Sequence, residues 1–212
     1  MAASNPEDNR GAFLVAPQPA LCLDFANTVA WRGSTPTESL HNFADLVKWC
    51  TDNAIISERR ARQVRKWPDK HPKRSAEILA DAIAIREATY RAFHRLATNS
   101  NPDAAELDLL NWALRDAPQR TTLRPVAEGF GWELEHEKVS APSLLAPVLW
   151  SAGDLLVSAQ LGRVRECSND KCLWLFLDDS KNGTRRWCSM QACGNRAKAR
   201  RHYLRKKESG SG

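Results

Sequence analysis

Four of the six cysteines in the chain form two pairs close to its carboxyl end. Cys167 and Cys172 are separated by four residues, Cys188 and Cys193 are also separated by four, and fifteen residues lie between the pairs. Each short loop lets two thiolates converge on one ion at about 2.3 Å, and two such loops close a tetrahedral four-sulfur shell. Because a closed shell leaves no position for water, the spacing predicts one structural Zn²⁺ and no catalytic metal.

Disulfides and an iron–sulfur cluster are the alternatives for these cysteines. The chain shows no secretory signal, and in an intracellular protein of this size paired cysteines bind metal more often than they oxidise. None of the histidines lies near the pairs, which favours an all-cysteine shell. Cys22 and Cys50 stand alone among apolar neighbours, a position typical of buried free thiols.

The segment around the cysteines has the pattern of a small finger. Leu173 to Leu177 is short, apolar and aromatic, residues 178–183 are rich in turn formers, and Thr184 to Trp187 can return as a second strand. The predicted order is therefore knuckle, hairpin, knuckle, helix. So small a unit buries little surface, and metal coordination supplies the missing free energy, about 10 kcal/mol or more in comparable peptides.

Positive charge is concentrated at the same end of the chain. Residues 163–212 hold 13 Lys and Arg against 5 Asp and Glu, a net charge of +8. The whole chain has a net charge of +6, so the residues before 163 carry about −2. This asymmetry indicates a polyanion-binding end on a neutral body. The alternatives are a solvated tail, or arginines that only offset the negative charge of the zinc–thiolate centre. The residues predicted to contact nucleic acid are Arg185, Arg186, Asn195, Arg196, Lys198, Arg200, Arg201 and Arg205.

The remainder of the chain has the periodicity of helices with one β-hairpin. Ser39, Ser57 and Ser75 are candidate helix caps, Pro147 should kink or delay the first turn of the last helix, and Gly162 should stop that helix. The predicted segments are a helix from Leu40 to Cys50, helices after Ser57, Ser75 and Asn101, a hairpin over 121–136, and a helix from Ser143 to Leu161.

The predicted fold class is mainly α with small β-hairpins, an α+β arrangement. A flexible lead-in over residues 1–20 precedes a helical domain over 21–162, then a small treble-clef-like Zn(Cys)₄ finger over 163–207 with a basic helix, and a disordered tail over 208–212. No stretch approaches the ~20 apolar residues of a membrane span, and the first residues lack the charge order of a secretory signal. We therefore expect a cytoplasmic protein without membrane contact.

Two motifs carry a family resemblance. The sequence Cys193-Gly194-Asn195-Arg196, preceded by three cysteines at these spacings, resembles the CGNR zinc-finger family of bacterial proteins. Upstream, Leu23-Asp24-Phe25-Ala26-Asn27-Thr28 looks like the Leu-Asp-Phe-x-Asn-Thr signature of the ABATE domain that usually precedes this finger. The resemblance implies a stress-related transcription regulator whose finger binds DNA, with a larger domain that senses a small-molecule effector or forms a homodimer.

A ligand pocket in the larger domain is a further hypothesis. An Asp and an Asn three residues apart share one helical face, and two large side chains follow them. The alternative is that these polar groups brace buried backbone. The candidate pocket residues are Asp24, Asn27, Trp31 and Arg32.

Two other classes of function compete with DNA binding. Trp174, Phe176 and Trp187 could serve an RNA-binding or protein-docking zinc module, although such aromatics are more often hairpin core. An enzyme is disfavoured, because the sequence has no Gly-rich phosphate loop, nucleophile elbow or metal site with an open position.

Overall fold

The computed structural model describes residues 13–15, 18–126, 129–134 and 138–209. Its first element is a strand within the segment expected to be flexible. The sequence predicts a flexible lead-in over residues 1–20, yet Phe13–Val15 forms a strand, β1, which pairs antiparallel with residues 132–134. A sheet edge has unpaired N–H and C=O groups, and this segment satisfies them. The remainder of the lead-in up to residue 12, together with residues 16–17, lies outside the described residues.

A short buried helix follows. The helix α1 (Leu21–Ala26) carries most of the ABATE-like signature, and all of its residues except Asp24 are buried. Two short strands, β2 (Val29–Ala30) and β3 (Thr37–Glu38), follow this helix in the chain and pair antiparallel with each other.

The helical layer comes next and surrounds one long helix. Its members are α2 (Phe43–Asp52), α3 (Glu58–Arg65), α4 (Trp67–Lys70), α5 (Pro72–Ala97) and α6 (Ala104–Asp116).

The helix starts confirm one predicted cap and correct two. Ser57 caps α3 as predicted, since its side chain accepts from the backbone N–H of Arg60. The cap of α2 is Asn42 and not Ser39, because Asn42 forms a reciprocal capping box with Asp45. Ser75 lies inside α5, where its hydroxyl donates to the His71 carbonyl.

The predicted hairpin is confirmed. Strands β4 (Leu123–Val126) and β5 (Gly129–Leu134) pair antiparallel, and β1 adds to the other edge of β5 to give the order β1-β5-β4. The predicted effect of Pro147 is also seen, because the next helix is split into α7 (Ala141–Leu144) and α8 (Ala146–Val157). The predicted stop at Gly162 is wrong, since α8 ends at Val157 and a 3₁₀ turn follows.

The finger follows a different strand plan from the predicted one. Strand β6 (Val164–Glu166) pairs antiparallel with β7 (Leu175–Leu177), so the partner of β7 lies upstream of the first cysteine pair and not downstream of it. The buried carboxylate of Asp178 accepts from the backbone N–H of Arg185 and from Ser180, which bends the chain away instead of letting it return as a strand. A π-helical turn (Met190–Gly194) then leads into the basic helix α9 (Asn195–Ser209).

The finger and the helical domain share one core. Val164 of β6 and Leu175 of β7 are buried in the same apolar cluster as Ile85 and Phe93 of α5. The predicted fold class, mainly helical with small antiparallel strand pairs and a carboxy-terminal four-cysteine cluster, is confirmed. Among the described helices, none is both long and apolar enough to span a membrane.

One close backbone approach joins the two parts. The N–H of Gly33, in the loop after β2, donates to the carbonyl of Lys171 at 3.3 Å. A Cβ placed on Gly33 would lie 1.9 Å from the backbone oxygen of Asp170. Any side chain at position 33 would collide with the backbone of the first cysteine loop, so the finger can pack here only because residue 33 is glycine.

We expect Gly33→Ala to lower the free energy of unfolding by about 1–3 kcal/mol, the usual cost of overpacking, because the Asp170 backbone must move. The matched control is Gly153→Ala in α8, where an added Cβ meets nothing within 4 Å. In a helix interior this change should stabilise by about 0.5–1 kcal/mol. Urea titrations of both variants make the measurement, and equal effects would contradict this docking contact.

Candidate metal centre and basic helix

The four predicted cysteine ligands converge on one point. Their sulfur atoms all lie within 4.8 Å of one another, and no pair of them is a disulfide. The Sγ atoms of Cys172 and Cys188 are 3.7 Å apart, and those of Cys188 and Cys193 are 3.8 Å apart. A tetrahedron of sulfurs about 2.3 Å from a central ion has edges of about 3.8 Å, so the cluster fits one Zn²⁺.

Cys167, Cys172 and Cys188 lie close enough to shift one another's pKa values. A hydrogen bond to the Cys167 sulfur raises the pKa of Cys172 to about 12. Hydrogen bonds to Cys167 and then to Cys172 raise the pKa of Cys188 as well. The pKa of Cys167, which accepts these bonds, falls to about 2. A divalent cation at the centre of the cluster stabilises the thiolate form of its ligands and leaves a net charge of about −2 on the site.

Backbone hydrogen bonds shape the first cysteine loop. The N–H of Cys167 donates to the carbonyl of Trp174, and the N–H of Cys172 donates to that of Asn169, both at 2.8 Å. The Asn169 side chain also donates to the Cys193 sulfur at 3.4 Å and accepts from the N–H of Lys171. Asn169 therefore orients ligands from both pairs, a role that the cysteine spacing alone does not reveal.

The second cysteine loop is equally constrained. The Ser189 hydroxyl accepts from the N–H of Ala192, and the N–H of Gly194 donates to the Ser189 carbonyl at 3.0 Å. A Cβ on Gly194 would lie 2.8 Å from the sulfur of the exposed Met190 side chain, which would have to move aside. The loop delivers the chain directly into α9.

The two predicted arginines before the second pair differ in their surroundings. Arg185 donates to the carbonyls of Trp187 and Cys188, pairs with Asp179 at 3.3 Å and lies 4.6 Å over the Phe176 ring. Its guanidinium is thus engaged within the finger. Arg186 is exposed and lies 5.4 Å from the centroid of the Trp187 ring.

The predicted residues of α9 are solvent-facing. Asn195, Arg196, Lys198, Arg200 and Arg201 are all exposed. Among the side chains that the structure describes, none of these four basic residues forms an ion pair. Arg196 lies 4.5 Å over the Trp31 ring of the helical domain. The side chain of Arg205 lies outside the described residues.

Asn27, a predicted pocket residue, joins the finger to the helical domain through backbone hydrogen bonds, the bracing role that the sequence left open as the alternative. Its Nδ2 donates to the Leu175 carbonyl at 2.7 Å, and its Oδ1 accepts from the Leu175 N–H at 3.0 Å. Two further bonds run beside it: the Tyr90 hydroxyl donates to the Leu173 carbonyl, and the Trp174 indole donates to the Val29 carbonyl, both at 3.1 Å. Tyr90 was not among the predicted site residues, and Trp174 was considered only as a candidate stacking or docking ring; no local sequence pattern marks either for this junction.

The four predicted pocket residues are divided between different surroundings. Asp24 and Asn27 border a cleft of about 660 Å³ between the domain and the finger, and desolvation raises the pKa of the Asp24 carboxyl. Trp31 borders a separate cleft of about 670 Å³ beside α9. Arg32 pairs with Glu87 at 2.8 Å and lies 3.9 Å over the Tyr90 ring, where it braces the fold.

Two family models match consecutive parts of the chain. Residues 19–159 match ABATE, described as "Putative stress-induced transcription regulator", and this match covers more than half of the chain. The chain belongs to the ABATE family. Residues 163–206 match the CGNR zinc finger. A comparison with curated proteins found no match.

The two matches and the cysteine geometry agree. An ABATE domain followed by a CGNR finger is a zinc-binding protein of a regulator type, and neither family is an enzyme family. Zinc would be held by Cys167, Cys172, Cys188 and Cys193 and would supply structure, because a four-sulfur shell has no open position.

We expect one zinc ion per purified chain by elemental analysis. Cys172→Ser should remove it, because three sulfurs and a hydroxyl no longer form the shell, and should lower the melting temperature. The control is Cys50→Ala. Cys50 is fully buried in α2 and is not part of the four-cysteine cluster, so this variant should keep one zinc ion.

Two results would contradict this assignment. Metal-free protein that melts at the same temperature with and without added zinc would show that the cluster is no metal site. A coloured product that contains iron would replace zinc with a cluster.

Proposed function

We propose that this ABATE–CGNR protein is a DNA-binding regulator in which α9 contacts the phosphates of duplex DNA. The observation that carries the proposal is that Arg196, Lys198, Arg200 and Arg201 of α9 are exposed and form no ion pair with the side chains that the structure describes. Positive side chains that no carboxylate neutralises are free to displace the counterions of a phosphate backbone.

The metal centre fixes the start of the helix. Cys193 is two residues before Asn195, the first residue of α9, and the tight turn at Gly194 leaves little freedom between ligand and helix. A surface that is already ordered loses less entropy on binding. The 15 residues of α9 span about 22 Å at 1.5 Å per residue, a length that suits the major groove.

The placement of the finger's aromatics favours DNA contact over the docking alternative. Phe176 is buried beneath Arg185, and the indole of the half-buried Trp174 donates to the Val29 carbonyl. These two rings serve the core and the junction with the helical domain. Trp187 is half-buried, so an RNA-binding or protein-docking module would have to rely on that ring among the three.

Replacing Arg200 and Arg201 by Ala should weaken binding to every duplex sequence and lower the slope of log K against log salt by about 1–2 units, as expected when that many phosphate contacts are lost. The matched control is Arg62→Ala with Arg65→Ala, which removes two exposed arginines from α3 of the helical domain. Fluorescence anisotropy over a salt series makes the comparison.

The two double variants have the same net charge, so the comparison separates position from charge. If both lower duplex affinity equally, α9 is no dedicated surface and the binding is a property of net charge alone. Zinc content should be unchanged in both variants, since none of the four arginines is a zinc ligand.

We also propose that the helical domain senses a cationic effector in the cleft that Asp24 borders. Asp24 is exposed, has no partner among the described side chains, and shares the cleft lining with Trp49 and Trp174. A carboxylate beside aromatic rings is suited to an amine or guanidinium. An effector in this cleft would touch both the helical domain and β7 of the finger.

A thermal-shift screen of amine metabolites tests this second proposal. A true effector should raise the melting temperature of the wild type but not of Asp24→Asn, which keeps the shape and removes the charge. Asn27→Ala should instead lower the free energy of unfolding by about 1–3 kcal/mol without any effector, because both backbone groups of Leu175 lose their partner. A ligand whose effect survives Asp24→Asn binds elsewhere.

A further inference from the structure

The cleft beside α9 combines aromatic and basic side chains from three parts of the chain. Its volume is about 670 Å³, which is within the range of small-ligand sites. The loop after β2 contributes Trp31, the finger contributes Lys171 and Trp187, and α9 contributes its first two turns. The basic residues in its lining are Lys171, Arg196, Arg200 and Arg201.

The charge in this cleft is poorly balanced. Among the described residues, none of its four basic side chains forms an ion pair, and Asp170 is the one carboxylate in the lining. The zinc ligand Cys193 also borders the cleft, and the net charge of about −2 on a zinc–four-thiolate centre still leaves the four cations in excess. The cleft is therefore suited to an anion. Inorganic phosphate alone would leave the rings unused, so the site favours an anion that also has a flat apolar part.

Trp31 is held in an unfavourable backbone conformation. Its φ is +58°, in the left-handed region where a bulky side chain is rare. The Trp31 carbonyl accepts from the Ser34 N–H at 2.9 Å, and the Gly33 contact with the first cysteine loop anchors the same turn. Strain of this kind persists where the surroundings impose it and is common at binding sites.

Trp31 and Arg196 together form a stacking platform. The Arg196 guanidinium lies 4.5 Å over the ring and remains exposed. Nucleobases stack on aromatic rings and on guanidinium planes alike. The four cations can bind the anionic group of a ligand, and the platform can bind its flat apolar part.

We propose that this cleft binds one unstacked nucleotide, with the base on the Trp31–Arg196 platform and the phosphate among Lys171, Arg200 and Arg201. The inference shares its arginines with the duplex-binding proposal but adds Trp31, which that proposal does not need. A paired base inside a duplex cannot reach the ring without leaving the stack. The nucleotide is either a free nucleoside monophosphate or an unpaired residue of a nucleic-acid strand.

Binding titrations of the full, zinc-loaded chain at low salt test the assignment. The probes are AMP, ribose 5-phosphate, a ten-residue single-stranded oligo(dA) and the same oligonucleotide as a duplex. The variants are Trp31→Asn, Trp31→Phe and Trp112→Asn. Asparagine tolerates left-handed backbone, so the first change removes the ring and keeps the turn. Trp112 is 39 % exposed on α6 and is the matched control.

The expected loss is about tenfold in affinity when Trp31 becomes Asn, as for one base–aromatic stack. Trp31→Phe should retain most of the affinity, and Trp112→Asn should retain all of it. Tight binding of AMP, well above ribose 5-phosphate, would identify a free nucleotide as the ligand. Binding of oligo(dA) without AMP would identify an unpaired residue of a strand.

The proposal is overturned if Trp31→Asn changes none of these affinities, if AMP binds no better than ribose 5-phosphate and oligo(dA) no better than the duplex, or if neither nucleotide probe binds. If Trp31→Asn loses zinc or melts early, Arg196→Gln removes the exposed half of the platform and must show a similar loss. Duplex binding that depends on Arg200 and Arg201 but not on Trp31 leaves the function proposal standing alone. Binding of a nucleotide without binding of duplex DNA would support the nucleotide site and contradict the proposal of duplex binding.

Discussion

The coordination of four thiolates is the constraint on which the finger depends. Its small apolar cluster consists of three of the ligand cysteines and Phe176, with three half-buried tryptophans packed around it. The ligands are thus themselves the interior of the finger, and there is little other buried surface to hold them together. Hydrogen bonds among Cys167, Cys172 and Cys188 lower the pKa of the first thiol and raise those of the other two. A divalent ion turns that crowding into the bonds that fix the fold.

The finger also relies on the helical domain, since its strand β7 lies in the domain's core. Asn27 shows how one side chain achieves this. An amide side chain has both N–H donors and an acceptor oxygen, so it pairs with both backbone groups of Leu175, whereas a carboxylate could accept but not donate. Strand β7 therefore lies between the two parts of the chain that carry the family motifs. Phe176 packs against the ligand cysteines, and Leu175 packs in the core of the helical domain and bonds to Asn27.

Local patterns in the sequence were sufficient for the features that local physics determines. The cysteine spacing predicted the metal cluster, Ser57 predicted a helix start, and Pro147 predicted a break in the last helix. The strand partner of β7 was predicted wrongly because strand pairing depends on contacts along the whole chain. Asp178, which bends the chain after β7, acts through three hydrogen bonds that have no spacing signature.

The predicted pocket shows the same limit more clearly. Asp24 and Asn27 do lie near each other, as helical periodicity requires, but the group that Asn27 meets is 148 residues away in sequence. Trp31 and Arg32 are adjacent in sequence, yet the left-handed backbone at Trp31 sends the two side chains to different partners, one to Arg196 and the other to Glu87.

The loop from Trp31 to Gly33 links the domain to the helix that we propose contacts DNA. At one end Gly33 packs against the backbone of the first cysteine loop, and at the other Trp31 lies beneath Arg196 in the first turn of α9. Two links therefore fix the direction of this first turn: the zinc ligand Cys193 precedes it by two residues, and the Trp31 ring contacts Arg196 within it. The contact between Trp31 and Arg196 thus links the helical domain to the first turn of α9 without passing through a zinc ligand.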